Sequence, residues 1–250
     1  MTEEKILSPL TLVVTAVFTA LVCVATMTIS IYVPATYGYF NIGESVIFLS
    51  AILFGPFVGA FAGGVGSALA DLLLGYWVYA PGTLVIKACE GAVVGILIKR
   101  SPKFGSKLYW RLLTVILGIT IGFLLGWIGT TYYSGEVELT LGSSLLMLYI
   151  PVEFWLFLGV VAAFAMPMLG LLADPEFGWI IFSVSSGGIV MVLGYFLYQM
   201  FIIYPLFSIE VVAILEIPIN IGQMVVGATV ALPITKVILR AVPYLKQKQI

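Results

Sequence analysis

Four ionisable side chains, Glu44, Asp71, Lys87 and Glu90, sit at intervals in the stretch 41–95, which is otherwise apolar enough for lipid. A charge at bilayer depth costs at least ~2.5 kcal/mol. Four of them around one Gly/Pro/aromatic loop, Gly75–Gly82, therefore require a compensating arrangement. Asp71 lies a helical turn before that loop and Lys87 about a turn after it. If the flanking segments are antiparallel helices, both side chains reach a similar depth, with Glu90 on the Lys87 face at i+3. Two arrangements answer the cost. One is a structural ion pair that neutralises itself. The other is a polar pocket beneath a lid.

A second constellation lies in the last apolar segment. In Glu216-Ile-Pro-Ile-Asn220-Ile-Gly-Gln223 the polar residues fall at i, i+4 and i+7, one stripe of a helix. Measured from Ile209, Glu216 is roughly 10 Å deep at about 1.5 Å per residue. That matches Lys87 and Glu90, so an outward-facing pocket is a better reading than interhelical hydrogen bonding alone.

These groups need membrane helices to position them. The chain is 62% hydrophobic and 9% charged, against about 25% charged in soluble domains. It reads as an all-α, polytopic membrane protein in the cell membrane. Its net charge of −1 and lack of a dense basic tract argue against a nucleic-acid partner. Histidine is absent and the two cysteines, Cys23 and Cys89, lie in apolar runs. No metal, no disulfide framework and no cofactor is indicated. A catalytic set would have to consist of carboxylates and Lys87 alone, so the chain is not read as an enzyme. It has no G-x-x-x-x-G-K-[ST] loop with which to hydrolyse ATP. The N-terminus is a poor signal peptide and is expected to be retained.

The first span runs from Ser8 to about Val33, and Ala16 and Ala20 give it a small-xxx-small spacing. The stretch Pro34–Gly43 reads as a loop. Glu44–Leu74 divides at Gly55-Pro56 into two helices, the first of them short, and Thr83–Ile98 is another span. Lys99, Arg100, Lys103, Lys107 and Arg111 mark a cytoplasmic loop. Leu112–Thr131 follows, with Gly118, Gly122 and Gly126 as a packing stripe. Glu136 and Glu138 then fall in an outer polar loop. Leu145–Leu172 carries Pro151 and one buried acid, Glu153. After a turn at Asp174-Pro-Glu176 come Gly178–Tyr204 and Ile209 to about Ile234. Lys236, Arg240, Lys246 and Lys248 place the C-terminus inside. The count is eight transmembrane helices with both termini cytoplasmic.

Taken in order, several motifs resemble a known family: Tyr39-Phe-Asn-Ile-Gly-Glu44, Leu53-Phe-Gly-Pro56, Gly63-Gly-Val-Gly-Ser-Ala-Leu-Ala-Asp71, Leu74-Gly-Tyr76, Tyr79-Ala-Pro-Gly-Thr83 and Ile86-Lys-Ala-Cys-Glu-Gly91. With Gly194-Tyr-Phe196 and the Glu216–Gln223 stripe, they are similar to the substrate-binding S components of energy-coupling factor (ECF) vitamin transporters, in the riboflavin or hydroxymethylpyrimidine group. The likeness spans about 1–100 and 178–240.

The resemblance implies a membrane subunit that captures a water-soluble vitamin or precursor from outside. Such a subunit docks on a transmembrane T component with two ATPase subunits, and otherwise meets only lipid. It implies a T-component interface at Ala16 and Ala20. It also implies a ligand beneath the outer loops, near Asn41, Glu44, Asp71, Tyr79, Lys87, Glu90, Glu216, Asn220 and Gln223. Aromatic residues Tyr37, Tyr39, Tyr76, Trp77 and Tyr79 could stack on a planar heterocycle, or simply form an interfacial belt. Family members usually have six helices. The expected architecture is thus an S-component-like bundle (1–107 and 174–250) with an inserted helical hairpin at 108–173, all one transmembrane domain, and Glu153 could extend the pocket. The alternative is an autonomous secondary transporter or channel, which predicts broken helices at matching places in two halves. Gly55-Pro56 and Pro151 do not have similar surroundings.

Overall fold

The fold is described from a computed structural model covering residues 8–33, 36–100, 107–141, 144–172, 175–207 and 213–242. Helix α1 (Pro9–Thr28) begins where Ser8 accepts a hydrogen bond from the Thr11 amide and Pro9 opens the first turn. Its buried stripe is Thr15, Thr19, Val22 and Thr26. The Thr15 and Thr19 hydroxyls donate to carbonyls one turn back, which hides their polarity. Ala16 and Ala20 lie on its exposed flank.

Strands β1 (Ser30–Val33) and β2 (Gly38–Asn41) pair antiparallel, with Ser30 opposite Asn41 and Val33 opposite Gly38. Helices α2 (Glu44–Phe54) and α3 (Pro56–Leu74) are separated by Gly55, whose φ of 85° an L side chain rarely adopts, followed by Pro56. Helix α4 (Ala80–Lys99) packs on α3 at close range. A methyl group at Gly91 would come within 2.2 Å of the Gly59 carbonyl oxygen. Only glycine permits the two backbones to approach so closely.

Helices α5 (Lys107–Tyr132) and α6 (Val152–Leu172) pack chiefly on each other. At their contact, Gly122 faces the Gly159 carbonyl and Gly118 faces Ala163 and Pro167. Between them, β3 (Gly135–Leu141) and β4 (Ser144–Ile150) form a hairpin. It joins the first hairpin through Tyr32 opposite Thr140, giving a four-stranded sheet in the order β2-β1-β3-β4. Helix α7 (Pro175–Tyr198) continues through a π-helical turn, Gln199–Ile203, into α8 (Tyr204–Phe207). A 3-10 turn at Ala213–Leu215 leads into α9 (Glu216–Ala241). The core lies among α2, α4, α7 and α9, around Phe48, Ile52, Val94, Val184, Met191, Ile221 and Met224. Outward-facing apolar side chains such as Leu73, Val85, Phe123, Leu193 and Val237 are exposed, as a lipid-facing surface requires.

The expectation of eight transmembrane helices is corrected. Among the described residues six helices are long and apolar enough to span: Pro9–Thr28, Pro56–Leu74, Ala80–Lys99, Leu108–Tyr132, Phe177–Phe207 and Ala213–Ala241. Glu44–Phe54 and, within α6, Val152–Met168 are shorter apolar stretches. With 11 residues, α2 is about 16 Å long, roughly half of a ~30 Å hydrocarbon core. Part of the segment read as the start of the second hairpin helix, Leu145–Ile150, is the strand β4 instead.

The all-α expectation is amended too. The end of the first expected span, Gly38–Asn41 of the loop after it, and the segments Gly135–Leu141 and Ser144–Ile150 are strands: Ile31-Tyr32-Val33 and Leu146–Ile150 are β-branched, aromatic or aliphatic runs with ladder partners. Glu153 is exposed on α6 rather than buried, and takes no part in the polar cluster described below. Residues 1–7, 34–35, 101–106, 142–143, 173–174, 208–212 and 243–250 lie outside the described residues. They include Lys103, Asp174, Lys246 and Lys248, on which the topology reading partly rests.

Candidate functional site

At the end of the bundle that carries the strands, α1, α3, α4, α7, α9 and β2 line a cavity of about 30 Å³, room for a water or two. Tyr39, Asn41, Asp71, Tyr79, Lys87, Glu216, Asn220 and Gln223 all line it, so the two constellations meet at one place. Thr26, Gly38, Ser67, Thr83 and Tyr195 complete the wall. Glu44 and Glu90 do not reach the cavity but stand behind Lys87.

Lys87 is 3% exposed and forms ion pairs with Glu44 of α2 and, at 3.2 Å, Glu90 one turn along α4. Glu44 is driven against α9 at Gly227, where a methyl group would lie 2.4 Å from its Cβ. The ammonium also sits 5.6 Å from the centre of the Tyr195 ring. Sequence spacing left Lys87 to meet Asp71 or Glu90. Its second partner is Glu44, whereas Asp71 accepts a 2.6 Å hydrogen bond from Tyr39. Removing two carboxylates and an ammonium from water costs several kcal/mol per ion, which mutual attraction offsets only when geometry is good.

A relay of amides ties α9 to β2. Gln223 Oε1 accepts from the Asn41 amide at 2.9 Å and from Asn41 Nδ2 at 2.6 Å. Gln223 Nε2 donates to Asn220 Oδ1 at 2.8 Å, and Asn41 Oδ1 caps the Gly43 amide at 2.9 Å. The turn between α3 and α4 is tied down in parallel. Tyr79 donates to the Thr36 carbonyl at 2.5 Å and receives Gln199 Nε2 at 3.0 Å, and Tyr198 donates to the Val78 carbonyl. Burial and then the Asp71 charge hold the Tyr39 hydroxyl well above its ordinary pKa, so it stays a donor. Burial, with Glu216 next, does the same for Tyr79.

Several buried polar atoms on the cavity wall have no hydrogen-bond partner: Asp71 Oδ2, Glu216 Oε2, Asn220 Nδ2 and Thr26 Oγ1. Thr83, whose hydroxyl bonds Tyr195 at 2.9 Å, is near the Asp71 carboxylate without giving Oδ2 a bond of good geometry. Each unmet group costs about 1–3 kcal/mol. No cluster of three or more His, Cys, Asp or Glu side chains suited to a metal ion occurs among the described residues.

Sequence reasoning passed over Gln199, Thr83, Tyr195 and Thr36. Gln199 carried a usable signal. It is the only amide in the apolar run 178–204, and it is fully buried at a π-helical turn. The hydroxyl residues carried none, since Thr and Tyr are common in lipid-facing and interfacial positions.

Comparison with known proteins bears on this arrangement. A family described as "ECF-type riboflavin transporter, S component" matches residues 6–133, just over half the chain. The match contains Asn41, Glu44, Asp71, Tyr79, Lys87 and Glu90 and runs on through α5; Glu216, Asn220 and Gln223 lie beyond it. A protein of Pyrococcus woesei, described as "Uncharacterized protein in gap 3'region", is 49% identical over 111 residues, which are 44% of this chain and 71% of that one. Six apolar helices of spanning length, five of which contribute to the wall of a buried polar cavity, with a family match across half the sequence, assign this multi-pass membrane protein: it belongs to the family of ECF-type riboflavin transporter S components.

Proposed function

We propose that the chain is the substrate-binding membrane subunit of an ECF-type ATP-driven importer, capturing a water-soluble vitamin or vitamin precursor from outside. The observation that carries this reading is the polar cavity beneath β2 and the Gly75–Tyr79 turn, with unpartnered donors and acceptors on its wall. Polar groups left unmet in a membrane helix bundle are costly, and a ligand that meets them binds with specificity. The substrate-binding set is Asn41, Glu44, Asp71, Tyr79, Lys87, Glu90, Glu216, Asn220 and Gln223. Glu44 and Glu90 act from behind by holding Lys87.

The cavity as it stands is far below the ~300 Å³ of a small-molecule pocket. Capture therefore includes an opening of the hairpin β1–β2 or of the 75–79 turn, which are held by the Tyr39–Asp71 and Tyr79–Thr36 bonds. In this reading the strand-bearing end faces outward and both termini face the cytoplasm. Energy comes from two partner ATPases through a T component that meets α1 at Ala16 and Ala20. The core 1–107 and 174–250 binds, and 108–173 is an added unit.

The test is mass spectrometry of small molecules released from protein purified out of rich medium. A stoichiometric vitamin-like compound is the expected result. An empty protein that also fails to bind every member of a vitamin panel would count against the binding-subunit reading.

A further inference from the structure

A cleft of about 420 Å³ runs between α3 and α4 on their exposed face and shares no lining residue with the polar cavity. Close approach of the two helices makes its floor. A methyl group at Gly64 would lie 2.6 Å from the Leu84 carbonyl oxygen and 2.9 Å from the Ala88 Cβ. Large side chains make its walls: Phe57 and Phe61, with ring centres 6.3 Å apart, stand on one side, and Leu84 and Val85 on the other, all four exposed. Its lining is apolar, the Cys89 thiol included. A single apolar side chain facing lipid is ordinary. A cleft of this volume is not, because walls left without partner atoms forfeit their dispersion contacts, and water has nothing to bond there.

The occupant is indicated at the end of the bundle away from the strands. Val85, Cys89, Ala92, Ile96 and Lys99 follow one another at i+4 or i+3, so one stripe of α4 leads from the cleft to the Lys99 ammonium. Lys99 leans across the foot of α3, where its Nζ would lie 3.4 Å from a methyl group at Gly55. Arg100 follows it, and both are exposed. Among the described residues neither forms an ion pair. The acids between Gly55 and Arg100 are Asp71 and Glu90, and both are buried. The two cations therefore stand at the mouth of an apolar cleft with no counter-charge of their own.

Length agrees with charge. Lys99 and Cys89 are ten residues apart, about 15 Å along a helix, which is half of a ~30 Å hydrocarbon core. We propose that the α3–α4 cleft seats one acyl chain of an anionic phospholipid whose phosphate headgroup pairs with Lys99 and Arg100. The chain descends along Ile96 and Phe57 and ends between Phe61 and Cys89. Basic residues at a membrane boundary attract anionic lipid in general; the cleft converts that attraction into a site for one molecule. The proposal concerns the outer face of α3 and α4 and stands whether or not the chain binds a vitamin.

The experiment is native mass spectrometry of the purified full-length protein in detergent, titrated separately with phosphatidylglycerol and phosphatidylcholine of the same acyl chains. The expected result is a one-to-one adduct with phosphatidylglycerol at no more than a tenth of the concentration that phosphatidylcholine needs. Lys99→Gln combined with Arg100→Gln should abolish that preference and leave the two lipids equal. Cys89→Trp, which fills the middle of the cleft, should weaken both lipids at least fivefold. The wild-type pair of titrations needs no variant, so it tests the headgroup even if a substitution impairs folding. Equal retention of the two lipids by the wild type overturns the proposal, as does a folded Lys99/Arg100 variant that keeps the preference. A folded Cys89→Trp protein that holds phosphatidylglycerol as well as the wild type overturns the placement in the cleft. A two-copy species that Cys89→Trp abolishes and phosphatidylglycerol leaves intact overturns it as well, and gives the cleft to a second copy of this chain.

Discussion

Gln223 on α9 accepts two hydrogen bonds from Asn41 on β2, at 2.9 Å from the backbone amide and 2.6 Å from the side chain, across 182 residues of sequence. One amide oxygen thereby fixes where the first hairpin sits over the bundle. Its nitrogen, 2.8 Å from Asn220 Oδ1, fixes which way Asn220 presents its free Nδ2 to the cavity. A single side chain thus couples the position of the cover to the orientation of a wall group.

Replacing Gln223 with Leu leaves two Asn41 donors unmet in a buried setting, at about 1–3 kcal/mol each. The expected outcome is a lower thermal unfolding midpoint in detergent and at least tenfold weaker binding of the co-purifying solute. Gln223→Glu keeps the acceptor but loses the donor to Asn220, so it should retain more of the stability than of the affinity. Thermal melts and equilibrium binding on the same samples separate the two effects.

The Glu44–Lys87–Glu90 group makes a second prediction. Lys87→Met removes the only cation and strands two carboxylates that are 0% exposed. Breaking a buried ion pair from one side costs about 3–5 kcal/mol. The triple variant with Glu44→Gln and Glu90→Gln removes the stranded charges as well and should recover most of that loss. Its failure to do so would mean that the ammonium stabilises the bundle through contacts other than the two carboxylates.

Charged and amide residues in apolar runs were legible because lipid makes them conspicuous. Asp71, Lys87, Glu90, Glu216, Asn220 and Gln223 were picked out by that rule, and all six are buried around one end of the bundle. Who meets whom was not legible. Lys87 and Glu44 are 43 residues apart, and their meeting depends on helix rotation set by packing at Gly63, Gly91 and Gly227. The first hairpin is not legible locally, because Pro34, Gly38 and Gly43 read as loop punctuation, and the pairing of both hairpins into one sheet is a long-range property. The count of eight spans failed on length: apolarity shows that α2 prefers a dry environment, but 11 residues suffice only for burial inside the protein.

The contact between α3 and α4 should tolerate almost no added volume. Gly91→Ala places a methyl group 2.2 Å from the Gly59 oxygen, and Gly59 itself has the Gly91 oxygen 2.9 Å from where its own Cβ would stand. Both neighbours are backbone, so nothing can rotate away, and overpacking of this kind costs about 1–3 kcal/mol or more. Because α4 carries Lys87 and Glu90, the displacement should appear both as a lowered unfolding midpoint and as weakened solute binding. Gly75→Ala is the control of a different kind. Nothing lies within 4 Å of the position, so only its φ of 89° is at issue, and the loss should be smaller.

The exposed flank of α1 gives the last prediction, and it separates binding from assembly. Ala16 and Ala20 stand on a flank of the helix beside the buried stripe Thr15, Thr19, Val22 and Thr26, with neighbouring Leu12, Val13, Val17 and Leu21 also exposed. Bulky side chains there meet no part of this chain's own core, so Ala16→Trp and Ala20→Trp should leave the unfolding midpoint and solute affinity of the isolated protein unchanged. A partner helix packed across the two alanines would be pushed away, since small residues at this spacing are what allow close helix approach. Co-expression with a T component and its two ATPases should therefore yield at least tenfold less complex for the Trp variants than for wild type. Normal co-purification would move the interface to another face of the bundle, whereas loss of solute binding by the isolated variants would show that α1 supports the cavity through its exposed side as well.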